Sequence, residues 1–325
     1  MTVPTPVIDA RAGGSRRIGD RLGDRVFRAV ALGAGLLVLL ILGLIAYFTA
    51  AKAWPAFKEA GLSFLFDDTW DQNTNSFGAL ALIYGTLLTS FIALVFAVPL
   101  SLGIALFTTE VAPKRVRSLV TYVIDLLAAI PSVVYGYWAW VIFRTQAESI
   151  YTSVANVFEH IPVLDRVFAN PARGASFMTA GLILAVMVTP IITSLSREAL
   201  LTVAQDDKNA ALAMGATRWE MLRIAVLPRV RSGLIGAVML GLGRAMGETI
   251  AVALVIGGTT QISSNVFAPG RTMASIIANN FGEATGVNRS ALIGLGVVLF
   301  AITIVVNMIA RWLAGRSERA MQGAR

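Results

Sequence analysis

The chain has no cysteine and a single histidine, His160. Without thiols there is neither a disulfide framework nor a thiolate metal centre, and one imidazole makes neither a His-based triad nor a His-rich metal site. A hydrolase built from this sequence would have to work with carboxylates alone. Charge is scarce too: 14% of the 325 residues are charged and 56% are hydrophobic, with a mean hydropathy of +0.71. A soluble chain carries roughly a quarter charged residues. No G-x-x-x-x-G-K-[ST] phosphate loop occurs, which excludes nucleotide hydrolysis by that motif. Tandem repeats and low-complexity tracts are missing as well. No cleavable signal peptide is recognisable, because the basic segment before the first apolar run is long and no small-residue cleavage site follows.

What is present is a series of long apolar runs. A helix needs about 20 residues to span the hydrocarbon, where every backbone polar group must be satisfied internally. Six runs qualify, at about 29–50, 78–107, 117–143, 177–196, 233–259 and 291–313. The sequence therefore reads as an all-α polytopic membrane protein with six transmembrane helices. Pro99, Pro131 and Pro190 are tolerable in such helices where neighbours or water satisfy the freed carbonyls.

Lysine and arginine fall unevenly about these runs: nineteen of the 27 lie with the termini, the segment 114–117 and the loop before 233, seven in the alternate segments, and Arg244 inside a run. Positively charged flanks stay cytoplasmic, so both termini are expected inside. The net charge of +8 is then a topology signal, and no nucleic-acid partner is implied. The chain divides into a disordered or interfacial cytoplasmic tail at 1–28, a first helix and external segment at 29–77, a core at 78–313 and a cytoplasmic tail at 314–325. Segment 51–77 sets Asp67, Asp68 and Asp71 beside aromatics suited to headgroup level, and 144–176 reads as external loop plus short helix. Within 260–290, Met273, Ile276, Ile277 and Phe281 recur at helical spacing, which predicts a short helix lying on the outer interface.

The internal loop at about 200–231 is neither apolar enough to span nor polar enough to be disordered. Asp206 and Asp207 supply helix-start chemistry, Ala210, Ala211, Leu212 and Met214 favour helix, and Gly215 ends it. A second amphipathic stretch runs from Thr217 to Leu227 before Pro228. Two readings fit this pattern: a bent element inserted into a groove of a soluble partner, or an amphipathic loop on the membrane surface.

The spacing of "NAALAMG", followed by "LP" twelve residues after Gly215, resembles the EAA loop of ABC-importer permeases. Ala210, Ala211, Gly215, Leu227 and Pro228 match that pattern, whereas Asn209 stands where the family has Glu and Ala225 where Ile is usual. The blocks "GATRWEMLRIAVLPRVRSGLIGAVMLGLGRAMGETIAV" and "LLAAIPSVVYGYW" closely resemble permeases of the PstC type from phosphate-specific ABC importers, over roughly 78–313. The resemblance implies the type I importer (MetI-like) fold in a bacterial inner membrane and import of inorganic phosphate. It also implies a second permease of the PstA type, two cytoplasmic ATPase subunits and an external phosphate-binding protein. ATP and Mg belong on the ATPase, with no cofactor on this chain, which is expected to be no enzyme and to meet membrane lipid but no nucleic acid. Contact with the ATPase falls by resemblance to Asn209, Ala210, Ala211, Gly215, Leu227 and Pro228. Another oxyanion such as sulfate or molybdate, or an ion-coupled secondary carrier without ATP, is the alternative function.

Arg244 and Glu248 lie in the fifth run, and helical rise from Arg231 places Arg244 about 20 Å along the axis, inside a hydrocarbon layer of about 30 Å. A charge there costs several kcal/mol and as a rule faces the bundle or a water-filled path. Two readings are open. The pair neutralises itself at i, i+4, although the cation-first order is the weaker one. Alternatively Arg244 grips the passing anion with two parallel N–H donors and Glu248 tunes it, as the resemblance implies. Gly241, Gly243 and Gly247 serve either close helix packing or backbone donation to the anion. Ser132 belongs to "AIPSVVYGYWAW", where Pro131 and Gly136 either unwind the helix and aim the hydroxyl at the path or form a kink beside an aromatic belt. Asp125 pairs with Arg244 across the bundle or bonds locally near the inner interface.

Overall fold

The computed structural model describes residues 18–72, 74–170 and 173–322. Of the expected N-terminal tail, residues 1–17 lie outside these; from Ile18 onward the chain is helical, so 18–28 is not disordered. An established helix propagates at one hydrogen bond per residue fixed, and Asp24 four positions before Arg28 suits it. The resulting helix is α1, Ile18–Ala60.

The chain divides into two units, residues 1–51 and 52–325. In the first, the most apolar part of α1 has a mean hydropathy of 2.8 and buries none of its residues. Leu36, Leu37, Leu39 and Leu40 are all exposed, an all-round apolar surface that fits a membrane span.

In the second unit, α2 (Ser63–Phe66) leads to a small hairpin, β1 (Trp70–Asp71) and β2 (Ser76–Phe77). Its cross-strand pair, Trp70 and Phe77, meets edge to face at 5.0 Å. Then follow α3 (Leu80–Leu106), α4 (Lys114–Ala129), α5 (Ser132–Trp138), α6 (Arg144–Phe158), α7 (Leu164–Val167) and α8 (Phe177–Leu201). Ser176 caps α8 by accepting the Thr179 N–H at 3.1 Å. This helix is the centre of the unit: α3 and α4 pack on it, and Ile183, Leu184, Val188 and Ile192 are buried along it.

The prolines behave differently from one another. Pro99 and Pro190 sit inside α3 and α8 without ending them. Pro131, in contrast, breaks the run expected as one span at 117–143: α4 and the helical stretch Ser132–Phe158 meet at 89°. The ring of Pro131 disfavours the helical region for Ile130, and both residues are extended, with ψ of 128° and 140°. Among the described residues five helices are long and apolar enough to cross a membrane, or six with the bent pair counted as one. Where 144–176 was read as loop with a short helix, α6 occupies much of it, and Tyr151 stacks on Phe267 at 4.4 Å.

Two more elements differ from expectation. The helix α13 (Met273–Asn280) forms where the spacing puts it, and its apolar face is covered by protein. Met273 and Ile276 are fully buried against Phe64, Leu82, Leu292 and Leu295. Periodicity specifies an apolar face, not which apolar neighbour covers it. The last helix, α14 (Gly286–Gln322), runs beyond the expected end at 313, and residues 323–325 of the tail lie outside the described ones.

Candidate functional site

The loop after α8 folds by local rules. Helix α9 (Gln205–Ala213) carries Asp206 and Asp207 in its first turn, where negative charge complements the helix dipole. It ends in paired bonds, Ala216 N–H to the Ala211 carbonyl and Gly215 N–H to that of Leu212, with Gly215 at φ +88°. That is the left-handed glycine stop. A capping box starts α10 (Arg218–Met221): the Glu220 carboxylate accepts the Thr217 N–H at 2.8 Å, and the Thr217 hydroxyl accepts the Glu220 N–H at 3.3 Å.

The stretch expected to stop before Pro228 does not stop. A π-helical turn, Leu222–Val226, joins α10 to α11 (Leu227–Gly247), so one helical stretch runs from Arg218 to Gly247. Pro228 brings no N–H, and the wider turn, closed by the Leu227 N–H on the Leu222 carbonyl, absorbs the missing bond. Of the residues placed on the ATPase contact by resemblance, Asn209, Ala210, Gly215 and Pro228 are exposed and Leu227 is half-buried. Ala211 is buried with Ala105, Leu200, Met221 and Val226. Leu212, Met214, Trp219 and Ile224 add an exposed apolar surface. The Asn209 side chain accepts from Gln205 Nε2 at 3.2 Å. Asp207 pairs with Arg229, which leaves Asp206 as the exposed carboxylate beside it.

Arg244 lies in the last turn of α11. The fifth run is not one helix: Glu248 is extended at ψ 133°, and α12 (Ile250–Val255) begins afresh. Of the two readings, the i, i+4 ion pair on a continuous helix gives way to two separate placements. Among the described residues neither Arg244 nor Glu248 has an ion-pair partner. Arg244 is exposed at a helix C-terminus, where a cation is favoured. Glu248 is 9% exposed and accepts the Ala251 N–H at 3.4 Å, so its carboxylate sits at the N-terminal end of α12.

Both side chains line a groove of about 1140 Å³ together with Gly243, Gly247, Asn307 and Arg311. The three glycines separate in role. A Cβ at Gly241 would fall 2.6 Å from Ile192, whereas at Gly243 and Gly247 it would meet nothing within 4 Å. Gly241 thus packs α11 on α8, and the other two open onto the groove. Asn307 and Arg311 escaped the sequence reading, where Arg311 counted only toward topology. Their spacing of four, on one face of the last apolar run, is the signal that finds them. Ser132, the first residue of α5, is not part of the groove's lining. Asp125 is exposed on α4, and among the described residues it makes neither an ion pair with Arg244 nor a local bond. Those residues also hold no group of three or more His, Asp or Glu side chains placed to bind a metal ion.

Residues 97–323 match the family described as binding-protein-dependent transport system inner membrane component. The chain belongs to this family. As a member it is a multi-pass transport component and not an enzyme. Similar relatives carry the description "Phosphate transport system permease protein PstC": one from Mesorhizobium japonicum is 42% identical, covering 91% of this chain and 91% of that one. Another, from Xylella fastidiosa, is 42% identical over 94% of this chain and 95% of its own length. A "PstC 2" permease from Mycobacterium tuberculosis is 37% identical over 91% and 93%. The permease also superposes on a bacterial alginate ABC transporter solved in complex with an alginate-bound periplasmic protein, with a TM-score of 0.60 and 21% identity over 92% of this chain and 98% of that one. At that identity the likeness is one of fold, and the fold is that of type I ABC-importer permeases.

Proposed function

We propose that this permease passes inorganic phosphate across the inner membrane in an ATP-driven importer, with Arg244 as the anion contact. The observation that carries the proposal is an exposed guanidinium at the end of a membrane helix, without an ion-pair partner among the described residues, lining a groove with Glu248 and Arg311, in a chain 42% identical to phosphate permeases. Phosphate at neutral pH has one or two negative charges and suits the two parallel donors of arginine. Glu248, held by the end of α12, opposes tight retention of the anion. A path that binds too firmly does not release, so selectivity sits mainly in an external binding protein.

In this reading the groove becomes a translocation path only when a second permease of the PstA type faces it. Two ATPase subunits, which bind ATP and Mg, dock on Asn209, Ala210 and the apolar surface of Met214 and Trp219. Both termini and the 200–231 loop are cytoplasmic, and 51–77, 144–176 and 262–290 are external. The deciding experiment is uptake by the reconstituted complex with competing oxyanions. ATP-dependent uptake of labelled phosphate is expected, blocked by excess phosphate and insensitive to equal sulfate or molybdate. Uptake of sulfate in preference to phosphate, or uptake driven by an ion gradient without ATP, overturns the proposal.

A further inference from the structure

Helix α9 reaches the rest of the chain through two ion pairs of opposite polarity on consecutive residues. Asp207 pairs with Arg229 at the start of α11, and both side chains are substantially exposed, so water and salt weaken that bond. Lys208 is different. Its Nζ lies 2.6 Å from Glu110 Oε1, and the two side chains are only 10% and 11% exposed. Glu110 stands 98 positions earlier, in a π-helical turn, Phe107–Val111, that closes α3.

Simple anchoring does not account for this pair. Apolar packing already seats α9, since Ala211 lies against Ala105 and Leu200. Well-packed apolar residues hold a helix at least as firmly as a buried ion pair, which must first be desolvated. What a buried pair adds is a fixed length and direction between two elements. The turn that receives it is also joined to α4, because Arg117 Nη2 donates to the Thr109 carbonyl at 2.7 Å. Beyond the Pro131 break, α5 packs on α12 so closely that a Cβ at Gly136 would fall 2.6 Å from Ala251 Cα. Ala251 is the residue whose N–H meets Glu248.

We infer that the Lys208–Glu110 pair is the strut that carries movement of α9 into α3 and α4, which makes both side chains positioning residues for the coupling of ATP hydrolysis to import. The inference rests on the importer reading above and goes beyond it in naming the link. The test measures phosphate imported per ATP hydrolysed by the reconstituted importer, with the abundance of the complex followed alongside. Lys208→Gln and Glu110→Gln should each lower that ratio roughly fivefold or more while ATP is still hydrolysed. The double reversal, Lys208→Glu with Glu110→Lys, should regain it.

A pair that only supports folding gives a different result: import and hydrolysis fall together with abundance at constant ratio, and that outcome overturns the strut. So does an unchanged ratio in both single variants. Where the single variants accumulate too poorly to assay, the double reversal decides, a regained ratio supporting the strut and uncoupled hydrolysis overturning it. Import by the wild type without ATP hydrolysis overturns the importer reading itself, a result visible before any variant is made.

Discussion

Arg244 and Glu248 stand on opposite sides of a helix break, the first in the last turn of α11 and the second at the entry to α12. They share a groove but no ion pair joins them. Each charge is stabilised by the backbone dipoles of its own helix end. Neither is needed to neutralise the other, which separates their roles in mutagenesis.

Replacing Arg244 with Gln should lower phosphate uptake at least about tenfold, since a charge-assisted hydrogen bond contributes roughly 1.5–3 kcal/mol and tenfold corresponds to about 1.4 kcal/mol. Arg244→Lys keeps the charge, loses the two-pronged grip and should fall between. Glu248→Gln should hurt less, and the double change to Gln should not recover transport. Uptake and membrane abundance measured for all four decide the matter; full uptake in the double variant would mean that Arg244 is there only to balance Glu248.

The glycines of α11 should respond oppositely to added bulk. Gly241→Val drives a side chain into Ile192, and overpacking costs about 1–3 kcal/mol, so the amount of folded protein in the membrane should drop. Gly243→Ala and Gly247→Ala meet open space in this chain. They should leave abundance near wild type, and any loss should appear in uptake. Equal abundance for all three variants would contradict the packing assigned to Gly241.

Gly215 holds a left-handed conformation that costs other residues about 1–2 kcal/mol. Gly215→Asp should therefore loosen the end of α9, leave membrane insertion intact and abolish ATP-dependent uptake. Insertion is read by membrane fractionation and coupling by uptake. Normal ATP-dependent uptake by the variant would remove the 205–213 helix from the docking assignment.

Topology is testable with unusual cleanliness because the chain has no native cysteine. Ser153 is exposed on α6, and a cysteine placed there should react with an impermeant maleimide added from outside. A cysteine at Arg218 should react only after the membrane is opened. Labelling of position 153 from the cytoplasmic side alone would invert the assignment of the loops.

The 200–231 loop was legible because its signals are local. Two aspartates, an alanine-rich turn and a glycine act through neighbours along the chain and formed the start and stop expected of them, whereas the stop expected before Pro228 did not form. The apolar runs were legible for a related reason, since crossing hydrocarbon is a matter of length and composition. The groove residues were legible only in part: an arginine inside an apolar run is conspicuous, while Asn307 and Arg311 toward the end of the last run are not.

Sequence by itself determined that this is a helical membrane protein, that its apolar runs are long enough to cross, and that Arg244 must be housed in one of them, because apolar length and the cost of a buried charge need no knowledge of neighbours; that it is a permease came from resemblance. Tertiary structure decided the rest. Pro190 lies in a helix packed on several sides and leaves it intact, but Pro131 falls where α5 must turn to lie against Ala251. Packing also buried Met273 and Ile276 of α13 among apolar helices and joined Lys208 to Glu110 across 98 positions. Such outcomes depend on which surfaces meet once the helices assemble, and nothing local to any one segment encodes its partner.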